Sequence, residues 1–469
     1  MKGGATALLD LPRLQAALAA ADPRPCQGRV ENVVGLAVEA RGPVSSLGEL
    51  CWIEREGLPP VAAEVVGFRG PHTLLMPLDD PRAIRPGSRV VASGRGFAVP
   101  VGEGLMGRVL DGLGRPMDGG GPVAVEAWYP AEGTPPSPLR RRPIREPLPV
   151  GVRSIDALLT CGRGQRIGIF AGSGVGKSTL LAMMTRNTAA DVVVVALIGE
   201  RNREVRDFVE HHLAGGRQRT VVVAATADRP ALVRIKAAQV ATAIAEFFRD
   251  RGRHVLLVMD SVTRFAMAHR EVGLAVGEPP ATRGYPPSVF AALPRLLERA
   301  GTGPEGSITG FYTVLVDGDD FNEPIADAVR GTLDGHIVLS RQLAEEGLFP
   351  AVDVLASVSR LMPDLVDRRH LAAAHQVRRW LGAYREARDL VEIGAYQRGT
   401  NPDVDRALER MPAIRALLAQ GRDEASTFAE AVSRLLEVAG IAEGEGGGAG
   451  GSDGRGASGS AGAVAGATG

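Results

Sequence analysis

The stretch that decides the fold is "AGSGVGKST", residues 171–179, which follows the strand-like run "RIGIF" and leads into "LLAMMTR". A strand that breaks into a glycine-rich turn and then a helix gathers backbone N–H groups at the helix N-terminus, where they favour a phosphate. Gly172, Ser173, Gly174, Val175 and Gly176 form the turn. Lys177 is long enough to reach the β- and γ-phosphates, and the Ser178 hydroxyl, with Thr179 behind it, is placed to hold Mg²⁺. The first position is Ala171, where the strict pattern has Gly. The pattern predicts an ATP site served by Mg²⁺.

Outward from this loop, strands and helices alternate between Gly162 and about Leu361: "DVVVVALIG" before "REVRDFVEHHL", "TVVVAATA" before a long helix through Phe248, then "HVLLVMD", "GFYTVLV" and "HIVLS". Continuous apolar strands separated by helices predict an α/β domain with a parallel sheet covered on both faces. "HVLLVMD" ends in Asp260, where a Walker-B carboxylate would sit beside the loop and hold the metal. "GERNRE", residues 199–204, closes another strand and puts Glu200 at the same sheet edge. Hydrolysis needs a base to orient water, and Glu200 is the candidate; the other reading is a strand-end ion pair among Glu200, Arg201 and Arg203.

The flanks read differently. Short β-rich runs from Gly28 to about Val101 predict a small β-barrel. "GEGLMGRVLDGLGRPMDGGGP" and "GTPPSPLRRRPIREPL" read as an irregular connection. Gly102, Gly104 and Gly107 match G-x-G-x-x-G, but no helix-length segment follows, so no dinucleotide site is expected. Residues 364–440 read as amphipathic helices, and the Gly/Ala/Ser tail after Glu443 as disordered. The organisation expected is a partner-binding helix (1–25), a barrel (26–101), a connection (102–148), the ATPase domain (149–362), a helical domain (363–440) and the tail (441–469). Within the first segment, residues 5–21 predict a helix capped by Asp10, with Leu11, Leu14 and Leu18 on one face. That stripe either docks on its own domain or serves as a handle for another protein.

Lys plus Arg, 54, equals Asp plus Glu, 54, so no global field gathers a polyanion and no nucleic-acid partner is expected. The three cysteines, Cys26, Cys51 and Cys161, have no disulfide-frame or zinc spacing. No stretch approaches about 18 uninterrupted apolar residues, so any membrane contact is expected to be peripheral. Adjacent His211 and His212 point apart on a helix and read as a solvated face, while Met183 and Met184 read as core. Arg264 reads as structural.

"VGVRSIDALLTCGRGQRIGIFAGSGVGKSTLL", "GERNRE", "EPPATRGYPPSVFAALPRLLERAG" and "DDFNEPIADAVRGTLDGHIVLSRQLAEEGLFPAVDVLASVSR" together resemble the flagellar and type III secretion export ATPases, which are similar in turn to the catalytic subunits of rotary ATP synthases. The resemblance spans about Gly28 to Gly440. It implies an N-terminal small β-barrel, a central P-loop (RecA-like) parallel sheet with flanking helices, and a C-terminal helical domain. It matches Lys177 and Ser178 to the phosphate lysine and metal hydroxyl, Glu200 to the catalytic glutamate, Arg201 to its neighbouring arginine and Asp260 to the Walker-B acid. In "SVSR", Arg360 matches an arginine finger that reaches the adjacent subunit's nucleotide. Phe349 falls where the family has an aromatic packing on adenine, often Tyr, so a hydroxyl contact is lost.

The resemblance further implies a hexameric homo-oligomer, cytoplasmic and peripheral at the inner face of the plasma membrane. Its implied partners are a regulator on the N-terminal helix, a central stalk protein, the export gate and chaperone–substrate complexes. Three other functions compete. A proton-coupled synthase subunit fits less well, because "RGYPPSVFAALPRLLERAG" resembles the export branch. An RNA-translocating ring would want aromatic platforms in the barrel, where only Trp52, Phe68 and Phe97 occur. A non-hydrolysing ring subunit would be expected to lack the base, yet Lys177, Glu200, Asp260 and Arg360 are all present. Within the family, "AGSGVGKS" and "GRGQRIG" favour the flagellar branch over the virulence-associated one.

Overall fold

The structure is a computed structural model that describes residues 26–212, 217–316 and 323–441. The helix expected over 5–21 and the tail expected after Glu443 lie outside the described residues.

Six strands close into an antiparallel barrel: β1 (Gln27–Val34), β2 (Ala37–Arg41), β3 (Glu49–Arg55), β4 (Leu58–Arg69), β5 (His72–Pro77) and β6 (Arg89–Gly96), in the order β1-β2-β5-β4-β3-β6. Its interior is filled by alternate residues such as Val30, Val38, Cys51, Ile53, Val65, Leu75 and Val90.

The segment read as an irregular connection holds more order than its glycines suggest. β7 (Ala98–Val101) pairs with β9 (Ala127–Pro130), and between them β8 (Val109–Asp111) joins the central sheet in parallel with β12 (Thr220–Ala225). The glycines make the turns that frame this three-residue strand: Gly107 and Gly114 have φ of 82° and 81°. A strand, not a helix, follows Gly107, so the G-x-G-x-x-G pattern has no helix N-terminus behind it.

The central sheet runs β17-β16-β10-β15-β13-β11-β12-β8. Its strands are β10 (Arg166–Ala171), β11 (Val192–Ile198), β13 (His254–Asp260), β15 (Ser307–Leu315) and β16 (Gly335–Leu339), all parallel, with β17 (Val352–Ser359) antiparallel at the edge. β14 (Gly301–Thr302) adds a short antiparallel partner to β15. β11 is buried at every position, and its residues serve two cores in turn. Val192, Val194, Ala196 and Ile198 meet the long helix Ala231–Arg249, whereas Val193, Val195 and Leu197 meet Leu180, Leu181, Met183 and Met184 of the helix Lys177–Asn187. A strand sandwiched this way has no use for polar alternation.

The second of these cores continues into helices Arg368–Glu392, Pro402–Leu418 and Phe428–Ala439, through Val377, Trp380, Ile414 and Leu435. The C-terminal helices are therefore packed directly onto the nucleotide-loop side of the sheet. His211 is exposed, within a π-helical turn over Phe208–His212.

Candidate active site

Parallel register brings the chemistry to one edge. Ala171 pairs with Leu315 and Leu339, and Leu197 pairs with Asp260, so the carboxyl ends of β10, β11, β13 and β15 align. That edge is where open α/β sheets bind ligands. After Ala171 the chain turns through Gly174 and Gly176, with φ of 80° and 89°, and enters the helix at Lys177. These angles are open to Gly at no steric cost, and they leave Ser173, Gly174, Ser178 and Thr179 exposed while Val175 anchors the turn in the core.

Lys177 Nζ lies 2.5 Å from Asp260 Oδ1 and 3.6 Å from Glu200 Oε1. Asp260, 4 % exposed, also accepts a 2.7 Å hydrogen bond from the Thr313 hydroxyl on β15. Burial works against the Lys177 charge, but the two carboxylates outweigh it and raise its pKa. Glu200 is pushed up to about 7, first by burial, then by the Asp260 charge and its hydrogen bond with Glu204, against the pull of Lys177. Glu204 moves the opposite way, lowered chiefly by that hydrogen bond with Glu200. A carboxyl held near neutrality suits a general base. Ser178, Glu200, Glu204, Asp260, Leu197, Val205, Asp207 and Phe208 line a cavity of about 130 Å³.

The structure gathers Gly172, Ser173, Gly174, Val175, Gly176, Lys177, Ser178, Glu200 and Asp260 at this edge. Phe349 joins them from further along the chain: a Cβ placed on Gly176 would lie 3.5 Å from its ring, which is 47 % exposed. Arg201 is beside the site but exposed, 3.6 Å from Glu204 in an ion pair. Arg360 is elsewhere. β17 runs antiparallel to β16, with Leu339 opposite Val352 and Gly335 opposite Ser359, so Arg360 emerges at the amino ends of the parallel strands. Its N–H donates to the Asp334 carbonyl at 3.2 Å, and its exposed guanidinium meets no carboxylate among the described residues. From there to the nucleotide loop is roughly 15 Å along the strands.

Two contributors escaped the sequence reading. Thr313 orients Asp260 across neighbouring strands, and a buried hydroxyl inside an apolar strand was its only signal. Glu204 stands one helical turn beyond Glu200 in the quoted "GERNRE". Arg264, read as structural, packs its stem 3.1–3.3 Å from a Cβ built on Gly199, and its buried Nε has no hydrogen-bond partner among the described residues.

A glycine loop, a strand-end acid bonded to its lysine and a second carboxyl near neutrality define a P-loop ATPase, set between a barrel and a helical cap. Residues 30–94 match the ATP synthase alpha/beta family, beta-barrel domain; residues 151–359 match the ATP synthase alpha/beta family, nucleotide-binding domain; residues 366–437 match the T3SS EscN ATPase C-terminal domain. The flagellum-specific ATP synthase of Bacillus subtilis is 54 % identical over 421 residues, covering 89 % of this chain and 96 % of that protein. The type 3 secretion system ATPase of Xanthomonas euvesicatoria is 52 % identical, covering 88 % of this chain and 93 % of that one. The assembled ATPase EscN of the enteropathogenic E. coli type III secretion system superposes with a TM-score of 0.83 at 45 % identity, over 88 % of this chain and 100 % of that chain. The same ATPase in complex with its central stalk EscO gives 0.82 at 44 % identity, over the same shares. The chain belongs to the flagellar and type III secretion ATPase family, and it is an ATPase of type III protein export.

Proposed function

We propose that the protein works as a homohexameric ring in which each ATP is hydrolysed between two subunits, driving the unloading and unfolding of proteins for a flagellar export apparatus. One observation carries this reading: Lys177, Glu200 and Asp260 meet at one edge of the sheet, while the Arg360 guanidinium, which meets no carboxylate among the described residues, stands at the other. Arg360 cannot serve its own loop, so it serves a neighbour's. A guanidinium supplied to the γ-phosphoryl group is worth about 10³–10⁵ in rate, which makes turnover depend on assembly.

In this mechanism Lys177 and the backbone N–H groups of Gly172 to Gly176 bind the phosphates, with Thr179 in the first turn behind them. Glu200 orients the attacking water and accepts its proton, Arg201 flanks it, and Phe349 packs on adenine. Ser178 and Asp260 are the residues that would hold Mg²⁺, and the oxygen-only donors of this cavity fit that ion. Among the described residues no three His, Cys, Asp or Glu side chains converge as a metal cage, which suits an ion that keeps water and phosphate oxygens in its shell. Mg²⁺ supplies neutralisation of the phosphate charge.

The flagellar assignment rests on "AGSGVGKS" and "GRGQRIG". The central stalk bound by the EscN relative supports a stalk partner for this ring. The remaining proposed partners are a regulator on residues 1–25, the export gate and chaperone–substrate complexes. No described helix is long and apolar enough to cross a membrane. The location proposed is the cytoplasm, peripheral at the inner face of the plasma membrane.

The test is subunit mixing. Arg360→Ala and Lys177→Ala proteins, each inactive alone, are combined over a range of ratios and phosphate release is followed. Activity should reappear at intermediate ratios, because some interfaces then pair an intact loop with an intact arginine. No recovery at any ratio, with assembly verified by sedimentation, rejects the shared site.

A further inference from the structure

We infer that Gln420 is a positioning residue for the nucleotide base: it fixes the Phe349 ring over the phosphate loop and ties that ring to the C-terminal helices. The inference rests on the reading of Phe349 as the adenine aromatic.

Gln420 lies between the helices Pro402–Leu418 and Phe428–Ala439, and is 5 % exposed. Its backbone N–H donates to the Phe349 carbonyl at 2.8 Å. Its side chain is fully engaged elsewhere. Oε1 accepts from the Arg153 backbone N–H at 2.8 Å, and Nε2 donates to the Gly151 and Glu424 carbonyls, each at 2.9 Å. Both amide hydrogens and the oxygen are thus committed, which admits one orientation of the amide.

Each partner is itself held. The Gly151 N–H donates to Asp156 Oδ2 at 2.8 Å, and a Cβ on Gly151 would collide with Asn187 at 2.3 Å. Asn187 is the last residue of the helix that begins with Lys177, so the clamp bears on the far end of the nucleotide-loop helix. The Arg153 side chain, 4 % exposed, reaches back to the Ala419 carbonyl and to Glu424. Residue 420 is therefore anchored on two sides, and the Phe349 carbonyl bonds to that anchored point. The ring then projects over Gly176 with nearly half its surface open to a planar ligand.

A Gln420 side chain that only stabilised the helical cap would affect every kinetic constant alike, or none at working temperature. A positioning residue acts through Phe349, so its removal shows in ATP affinity and disappears once Phe349 is gone. The experiment is a double-mutant cycle on the full chain with Gln420→Ala, Phe349→Ala and the pair, repeated with Gln420→Met, which preserves side-chain bulk and protects against loss of folding. Phe349→Ala should raise KM for ATP. Gln420→Ala and Gln420→Met should raise KM about tenfold with kcat nearly unchanged, and by less than about twofold in the Phe349→Ala background. An equal rise in both backgrounds, or a fall in kcat at constant KM, overturns the inference. A Phe349→Ala protein with unchanged KM overturns instead the adenine reading on which it stands.

Discussion

Lys177 Nζ and Asp260 Oδ1, separated by 83 residues of chain, meet at 2.5 Å, and Glu200 stands 3.6 Å from the same ammonium. One cation therefore balances two carboxylates, Asp260 buried and Glu200 largely so. In the proposed mechanism a bound triphosphate would compete for that cation, which would leave Asp260 free to hold Mg²⁺ and Glu200 free to orient the attacking water.

Replacing Glu200 by Gln keeps the shape of this cluster and removes the charge that opposes Asp260. ATP binding, followed with a fluorescent nucleotide, should stay within a few-fold of the native value. Steady-state phosphate release should fall about 10²–10⁴-fold, the range expected for loss of a general base. Unreduced hydrolysis would refute the role of Glu200.

The pH profile carries the same assignment with a definite sign. Burial and the Asp260 charge push Glu200 up to about 7, and in the proposed role as base only its ionised form is competent. kcat/KM for ATP should rise with pH through about 7 and level off above it. Glu204, through its hydrogen bond, is one cause of that upward shift, so Glu204→Gln should move the acid limb to lower pH and leave the plateau in place. An acid limb that does not move would show that Glu204 has no hold on the base.

The parts of this site legible in sequence are those made by neighbours in the chain. A strand, a glycine turn and a helix declare the phosphate loop within about a dozen residues, and "GERNRE" and "HVLLVMD" each end a buried strand in a carboxylate. The same locality made the central strands and the long helix to Arg249 readable. What sequence concealed is set by pairing at a distance. Val109–Asp111 is a strand only because β12 lies beside it, and three residues after a glycine-rich turn carry no periodicity. Gln420 bonds to Arg153 across 267 residues, and nothing near either one announces the other. The wide separation of Arg360 from Lys177 emerges only from the antiparallel direction of β17, a fact of register rather than of composition.

Lys236, on the helix Ala231–Arg249, ties the ATPase domain to the barrel. Lys236 Nζ lies 2.6 Å from Glu64 Oε2 on β4 and 3.3 Å from Glu132 Oε1, and the Lys236 and Glu64 side chains are 2 % and 7 % exposed. Burial pushes the Glu64 carboxyl upward while Lys236 pulls it back, so the charged pair survives only as a pair. Removing Lys236 strands Glu64 in a dry interface, which costs about 3–5 kcal/mol, whereas removing Glu64 leaves Lys236 its contact with Glu132, and replacing both by apolar groups of similar volume is often neutral or better. Lys236→Met should therefore lower the denaturation midpoint markedly and Glu64→Leu by less, since Glu132 still faces Lys236, and the double variant should recover most of the Lys236→Met loss. Denaturant unfolding followed by fluorescence in a Trp128→Phe, Trp380→Phe background reads the barrel side of this junction, since the remaining Trp52 lies on β3. If the double variant is as unstable as the two single losses added together, Glu64 and Lys236 do not depend on each other, and the barrel is held to the ATPase domain without that pair.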